Sequence, residues 1–220
     1  MSVGKLIVLE GLDGSGKTTQ LGLLCAALTD RNVPFRKLEF PCYDKDSSTL
    51  VRMYLNGCFG SDPADVNAFA ASSFYAVDRY ASYRSDWGAE YEAGGLFVSG
   101  RYTTSNAIHQ GAKLAGEARR TYMDWLFDYE YRLLGLPAPD AVIFLDVEVP
   151  LALANIEKRQ AARDIHETKA GYLSLCRESA LEAAQRYGWH TVACGADGAM
   201  RPEKDIAKDI LRIINQVGVC

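Results

Sequence analysis

Apolar residues in this chain alternate between two spacings, and the alternation predicts the fold. Leu6-Ile-Val-Leu9 is a short run of branched side chains and predicts a buried strand. Leu21, Leu24, Cys25 and Leu28 follow at helical spacing, so the first helix is expected over about Lys17 to Arg31, broken by Asn32-Val-Pro34. Phe35 to Phe40 predicts a second strand that stops at Pro41. A short helix over Leu50–Leu55, a turn at Asn56–Gly60 and a long helix over Asp65–Tyr91 come next, with Phe69, Ser73, Ala76 and Tyr80 along one stripe. Leu96–Val98 predicts a third strand, a helix is expected to start near Ser105, and another covers Glu117–Leu134. Ala141–Val147 is the fourth strand, and Pro150 suits the first position of a helix running to Arg159. Tyr172, Leu175, Ser179, Ala183 and Tyr187 mark a further helix, and Trp189–Ala193 a fifth strand. Pro202 opens the last helix, with Ile206, Ile210, Ile213, Ile214 and Val217 on one side. Short strands alternating with helices imply an α/β fold in which a five-stranded parallel sheet is flanked by helices on both faces.

The joint between the first strand and the first helix changes the picture. Gly11-Leu-Asp-Gly-Ser-Gly-Lys-Thr-Thr19 fits the spacing G-x-x-x-x-G-K-[ST]. Glycines let successive backbone N–H groups converge on phosphate oxygens where a β-carbon would obstruct. The helix N-terminus adds further donors and partial positive charge. Lys17 is expected to reach the β and γ phosphates of a nucleoside triphosphate, and the Thr18 hydroxyl to ligate Mg²⁺. The alternative is an ordinary glycine-rich strand-to-helix turn; the strand before the motif and the helix after it favour the phosphate loop.

Composition narrows the partners. The chain has 220 residues, 48% hydrophobic and 24% charged, with a net charge of −4. That excess of acid gives no support to a nucleic-acid coat or an anionic membrane partner. No run of eighteen apolar residues is present, so no spanning helix is expected, and a strand beginning by Leu6 predicts no signal peptide. The six cysteines include no C-x-x-C pair and read as reduced thiols of a cytoplasmic protein.

Three further constellations bear on the second substrate. Tyr75 and Arg79 stand i, i+4 on the long helix, where a ring can stack on a nucleobase and a guanidinium can donate to a carbonyl at its edge. Equally, Phe74 and Tyr75 can be core, with Arg79 paired to Asp78 or Asp86. Arg101, at the end of the third strand, is followed by Ser105, Asn106 and His109; it can clamp a phosphate, with Asn106 suited to a pyrimidine edge, or be a surface arginine before a helix cap. Lys158 and Arg159 precede, and Arg163 lies within, the polar stretch Gln160–Lys169, which reads either as a lid bringing cations to a phosphoryl group or as a solvated helix face.

Together, Gly11–Thr19, Phe40-Pro41, Phe74-Tyr-Ala-Val-Asp-Arg79, Arg101-Tyr-Thr-Thr-Ser-Asn106 and Arg163-Asp-Ile-His-Glu167 resemble the thymidylate kinase family in order and spacing, over nearly the whole chain. The resemblance implies a three-layer P-loop NTPase fold and one nucleoside monophosphate kinase domain over 1–220 with a mobile lid about 158–169. It implies transfer of the γ-phosphoryl of ATP to dTMP with Mg²⁺, by a homodimer. The phosphate-loop residues Gly11, Asp13, Gly14, Ser15, Gly16, Lys17, Thr18 and Thr19 would hold ATP. Asp13 would also hold the deoxyribose 3′-hydroxyl, Tyr75 stack on thymine and Arg79 read its O4. Arg101 would take the acceptor phosphate and Asn106 sit near N3, with Phe40, Pro41 and Ser105 completing the dTMP site. His109 and His166 occupy positions where a tyrosine, in relatives, crowds C2′ and helps exclude ribonucleotides. Lys17, Arg101, Arg159 and Arg163 are the expected catalytic cations.

Two departures stand out. Gly100 replaces an aspartate that in the family supports the metal or the loop lysine. Cys42 and Tyr43 follow Phe40-Pro41 where an arginine to the acceptor phosphate is common, and Arg52 is the nearest substitute. Gly14 stands where some members carry a loop arginine; its absence is similar to the subgroup that supplies arginines from the lid. The alternatives are a kinase for another nucleotide or deoxynucleoside, or a nucleotide-binding protein that has lost transfer.

Overall fold

In the computed structural model, which describes residues 3–158 and 170–218, the strands expected from the apolar runs assemble into one parallel sheet. They are β1 (Lys5–Gly11), β2 (Arg36–Leu38), β3 (Leu96–Ser99), β4 (Ala141–Asp146) and β5 (His190–Ala193), side by side in the order β2-β3-β1-β4-β5. Ile7 of β1 lies opposite Val98 on one side and Ala141 on the other. Helices α1 (Lys17–Asp30), α2 (Thr49–Leu55), α3 (Ala68–Ser82), α4 (Gly88–Glu92), α5 (Thr103–His109), α6 (Gly116–Phe127), α7 (Val149–Lys158), α8 (Ala170–Tyr187) and α9 (Glu203–Gln216) complete the layers.

Strand alternation divides the core. Ile7 and Leu9 join a cluster with Leu21, Leu24 and Leu28 of α1 and Ile206, Ile210 and Ile214 of α9. Leu6 and Val8 point the other way, into Tyr83, Trp87, Tyr91 and Phe97. Full burial of each such side chain contributes roughly 1.5–3 kcal/mol, which holds β1 at the centre of the sheet.

The connections create the crevice. The chain leaves β1 toward β2 on one flank, whereas it leaves β3 toward β4 on the other. The carboxyl ends of β1 and β3 therefore part at a topological switch point, where open α/β sheets bind ligands.

Several elements differ from expectation. The long helix starts at Ala68, where Asn67 accepts from Ala70 N at 2.9 Å and caps it. A π-helical segment, Tyr83–Trp87, joins α3 to α4. The stripe of Phe69, Ser73, Ala76 and Tyr80 is not one buried face: Ala76 is buried, while Phe69 and Tyr80 are exposed. The helix after β3 begins at Thr103 rather than near Ser105, and α6 passes at Asp128 into a second π-helical segment ending at Leu133. A small hairpin of β6 (Gly195–Ala196) and β7 (Ala199–Met200) has no counterpart in the apolar pattern. Its signal was the Asp197-Gly198 pair, both in the left-handed region (φ 51° and 74°), which suits a tight hairpin turn. The expected lid falls almost wholly outside the described residues.

Candidate active site

The turn after β1 is built by glycines. Gly16 caps α1 at φ 88°, and Gly14 sits at φ 79°, conformations that side chains with a β-carbon rarely adopt. A β-carbon on Gly14 would also fall 2.2 Å from the carbonyl oxygen of Ala152 in α7, so the abutting helix leaves no space for an arginine there. Asn155 of α7 donates from Nδ2 to the Gly14 carbonyl at 2.9 Å and fixes the loop from outside. Lys17 Nζ donates to the carbonyls of Gly11 and Leu12 and lies 3.9 Å from Asp13 Oδ1. Thr18 and Thr19 are exposed on the first turn of α1, whose N–H groups have no partner within the helix. The loop forms the floor of a broad cavity walled by Lys37–Pro41, Gly100, Asn155, Met200, Arg201 and Glu203.

A second cavity opens on the other side of Phe40 and Pro41. Tyr75, Arg79, Arg101, Tyr102, Ser105, Asn106, His109 and Gln110 line it, with Leu55. Tyr75 is braced edge-on by the buried Tyr54, their centroids 6.4 Å apart. Phe74 turns away from this cavity to pack on Phe59. Arg79 pairs with neither Asp78 nor Asp86. Its Nε donates to Glu130 Oε2 at 2.7 Å, its Nη2 to Asn106 Oδ1 at 2.9 Å and its Nη1 to the Tyr102 carbonyl at 3.4 Å. Asp78 instead accepts from Cys42 N (2.8 Å) and Ser47 Oγ (2.6 Å), anchoring the loop after Pro41.

Asp13, Phe40, Pro41, Tyr43 and Arg101 line both cavities. At this shared wall Arg101 Nη2 donates to Asp13 Oδ1 at 2.7 Å and Nη1 to His109 Nε2 at 3.2 Å. Burial alone would raise the Asp13 carboxyl, but Arg101 and Lys17 beside it hold it well below the usual carboxylate range. Burial likewise disfavours the Arg101 cation, and Asp13 and Glu10 more than restore it, so it stays charged. Glu10, fully buried at the end of β1, is pushed upward by desolvation; Thr104 Oγ1 (2.7 Å), Ser105 Oγ (2.8 Å) and Tyr102 N (3.3 Å) donate to it. This carboxylate thus anchors the first turn of α5 under the wall.

The fold therefore gathers Asp13, Phe40, Pro41, Tyr75, Arg79, Arg101, Ser105, Asn106 and His109 around one cavity, and Gly14–Thr19 around its neighbour. Arg159, Arg163 and His166 lie outside the described residues. Arg52 does not line the acceptor side: its guanidinium donates to the carbonyls of Tyr43 and Lys45 at 2.9 Å and braces that loop. Asn106 has both ends of its amide engaged, Nδ2 donating to Ser72 Oγ at 3.3 Å. Sequence reasoning missed Gln110, Asn155, Arg201 and Glu130. Gln110 follows the expected motif by one helical position and was within reach of that argument; the other three come from distant segments and carry no local signal. The described residues contain no group of three or more His, Cys, Asp or Glu able to hold a metal ion.

Comparison with known proteins identifies the family. Residues 9–200 match the family described as thymidylate kinase. The probable thymidylate kinase of Methanothermobacter thermautotrophicus is 30% identical over 97% of this chain and 96% of its own. The thymidylate kinase of Mycobacterium tuberculosis is 29% identical over 87% of this chain and 92% of its own. Among solved structures, the thymidylate kinase of Candida albicans shares the fold with a TM-score of 0.72, at 21% identity, over all of this chain and 95% of that one.

Proposed function

The chain belongs to the thymidylate kinase family, and from that premise we propose that it transfers the γ-phosphoryl of ATP to dTMP across the wall at Asp13 and Arg101. Two cavities that share Asp13, Phe40, Pro41, Tyr43 and Arg101 carry this reading, because a direct transfer needs donor and acceptor phosphates end to end. No covalent enzyme intermediate is required.

On the donor side, the amides of Gly14–Thr19 cradle the triphosphate, and Lys17 exchanges its loop carbonyls for the β and γ phosphates. Met200, at the end of the small hairpin, and Arg201 after it border the far end of the cavity and receive the nucleoside. On the acceptor side Arg101 binds the dTMP phosphate and Asp13 the 3′-hydroxyl. Tyr75 offers its ring to thymine, and Arg79 donates from Nη1 to O4. Gln110 completes the base reading: its buried Oε1 has no partner among the described residues, and thymine presents an N3–H donor where cytosine presents a lone pair. Asn106 serves this site by holding Arg79. Arg159 and Arg163 remain proposed as cations that reach the transferred group.

The donor set fits Mg²⁺ that arrives on the nucleotide. Thr18 offers an exposed hydroxyl, whereas Asp13 is paired with Arg101 and Glu10 with three donors. Thr18 would hold such an ion together with the nucleotide phosphates, and the ion would supply charge neutralisation there. The homodimer is assigned to the outward side of α3, where Phe69, Val77 and Tyr80 are 40%, 49% and 41% exposed. No described helix is long and apolar enough to cross a membrane. A cytoplasmic location for the reaction is part of the same proposal.

A coupled turnover assay with Mg·ATP and dTMP, dUMP, dCMP, UMP or thymidine tests the proposal. The expected order has dTMP first. Preference for thymidine or dCMP would overturn the acceptor assignment.

A further inference from the structure

We propose that His109 is a positioning residue for Arg101, holding the guanidinium at the shared wall by accepting its hydrogen bond on Nε2 in the neutral, Nδ1-protonated form. Arginine has only donors. The 3.2 Å contact between Arg101 Nη1 and His109 Nε2 therefore needs a bare Nε2. A neutral imidazole then carries its proton on Nδ1, and among the described residues Cys176 Sγ of α8 lies 3.7 Å from Nδ1. The Cys176 thiol is pushed up to about 12 by burial, so it faces the ring as a neutral, soft acceptor. Tyr172, one turn earlier on α8, donates from Oη to the His109 carbonyl at 2.5 Å and fixes the backbone that carries the ring. With Nη2 on Asp13 at 2.7 Å, the guanidinium is gripped on two edges.

Among the described residues, the groups facing this ring include Arg101 from the end of β3, Asp13 from the loop after β1, and Cys176 and Tyr172 from α8. Arg101 opposes protonation of the imidazole and Asp13 favours it; only the neutral ring can accept from Arg101. The tyrosine that the resemblance places here in relatives would offer a hydroxyl oxygen instead of a ring nitrogen, so the dependence on imidazole tautomer is particular to histidine at this position. The functional consequence rests on the reading that Arg101 takes the acceptor phosphate; the geometric claim does not.

Two measurements on the full-length protein test it. The chain has three histidines, so a long-range ¹⁵N spectrum can be assigned by the loss of one ring in His109→Gln. At pH 8 His109 is expected to show Nδ1 protonated and Nε2 bare, opposite to the form an imidazole prefers in water. In Arg101→Ala its titration midpoint should rise, because a neighbouring cation has been removed. An Nε2-protonated ring, or an unmoved midpoint in a folded Arg101→Ala protein, would overturn the proposal. In turnover, His109→Leu should raise KM for dTMP about tenfold with a smaller change in kcat, the loss expected for a hydrogen bond to a charged group. His109→Gln, whose Oε1 can accept from Arg101, should recover most of that loss. Equal KM values for the Leu and Gln variants would also overturn it. If the unaltered protein fails to phosphorylate dTMP, the proposed function falls, and the spectrum still decides the role of His109.

Discussion

Arg79 and Glu130 form an ion pair inside the wall of the acceptor cavity, with side chains 3% and 0% exposed and Nε to Oε2 at 2.7 Å. Thr103 Oγ1 donates to the same carboxylate at 2.7 Å, so the pair links α3, α5 and the segment after α6. Two charges taken from water tolerate the loss of one partner poorly, because the survivor remains buried and uncompensated.

Glu130→Gln should therefore cost about 3–5 kcal/mol in stability, and Arg79→Ala should be costly for the same reason. A joint Arg79→Met, Glu130→Leu replacement should cost less than the sum of the single changes. Denaturant unfolding of the three proteins checks this. A loss below about 1 kcal/mol in Glu130→Gln would show the pair to be dispensable. Where Arg79→Ala remains folded, the gap between dTMP and dCMP in kcat/KM should narrow.

Lys17→Ala separates chemistry from folding. The Nζ atom donates to two carbonyls of its own loop, and the residue belongs to neither apolar cluster. Stability should change by about 1 kcal/mol, while turnover should fall about 10²–10³-fold or more, as for the loss of a charge aimed at the transition state. Thermal melting and single-turnover rates decide between the two effects. Retained turnover would remove Lys17 from the mechanism.

Asp13 makes stability depend on acid. Its carboxyl is held below its ordinary value of 3.8, so the unfolded chain binds the proton more readily than the folded one. The contribution is fully present above the unfolded value and is lost as pH falls through the folded one. Unfolding free energy should thus decline from about pH 5 downward, and Asp13→Asn should flatten that decline. Parallel slopes for the two proteins between pH 5 and pH 3 would place the acid sensitivity in other carboxylates.

The central strands were legible as runs of apolar residues, as Leu6–Leu9 and Ala141–Asp146 illustrate, and the edge strand β2 only through its alternation of apolar and basic positions before Pro41. The phosphate loop was legible because Gly14 and Gly16 need backbone angles that spacing alone can announce. Partnerships across the chain were not. Arg79 has Asp78 beside it in sequence yet pairs with Glu130, since α3 turns Asp78 toward the loop after Pro41. Asn155 grips Gly14 because α7 returns across the loop, a matter of sheet order and not of local pattern. The π-helical segments escaped for a related reason: they shift register without any marker residue.

Gly100 is the position where a family feature can be restored. It lines the same cavity as Lys17 and Thr18. Its φ is not in the left-handed region, so an aspartate meets no backbone obstacle there. A β-carbon would come 3.1 Å from Leu21 Cδ2, the tip of a flexible side chain that needs to yield by only a few tenths of an ångström. Gly100→Ala measures the cost of that contact without a charge, and it should be about 1 kcal/mol. Gly100→Asp adds a carboxylate to a cavity where Thr18 is the proposed protein donor. The half-saturating Mg²⁺ concentration in turnover should then fall relative to Gly100→Ala, with kcat equal or higher, because hard cations gain from each added anionic oxygen. Melting temperatures of the two variants should agree within a few degrees. If Gly100→Asp melts with Gly100→Ala yet keeps its Mg²⁺ dependence and rate, the carboxylate has no metal to support at this strand end, and the cation is held by nucleotide phosphates and Thr18 without need of it.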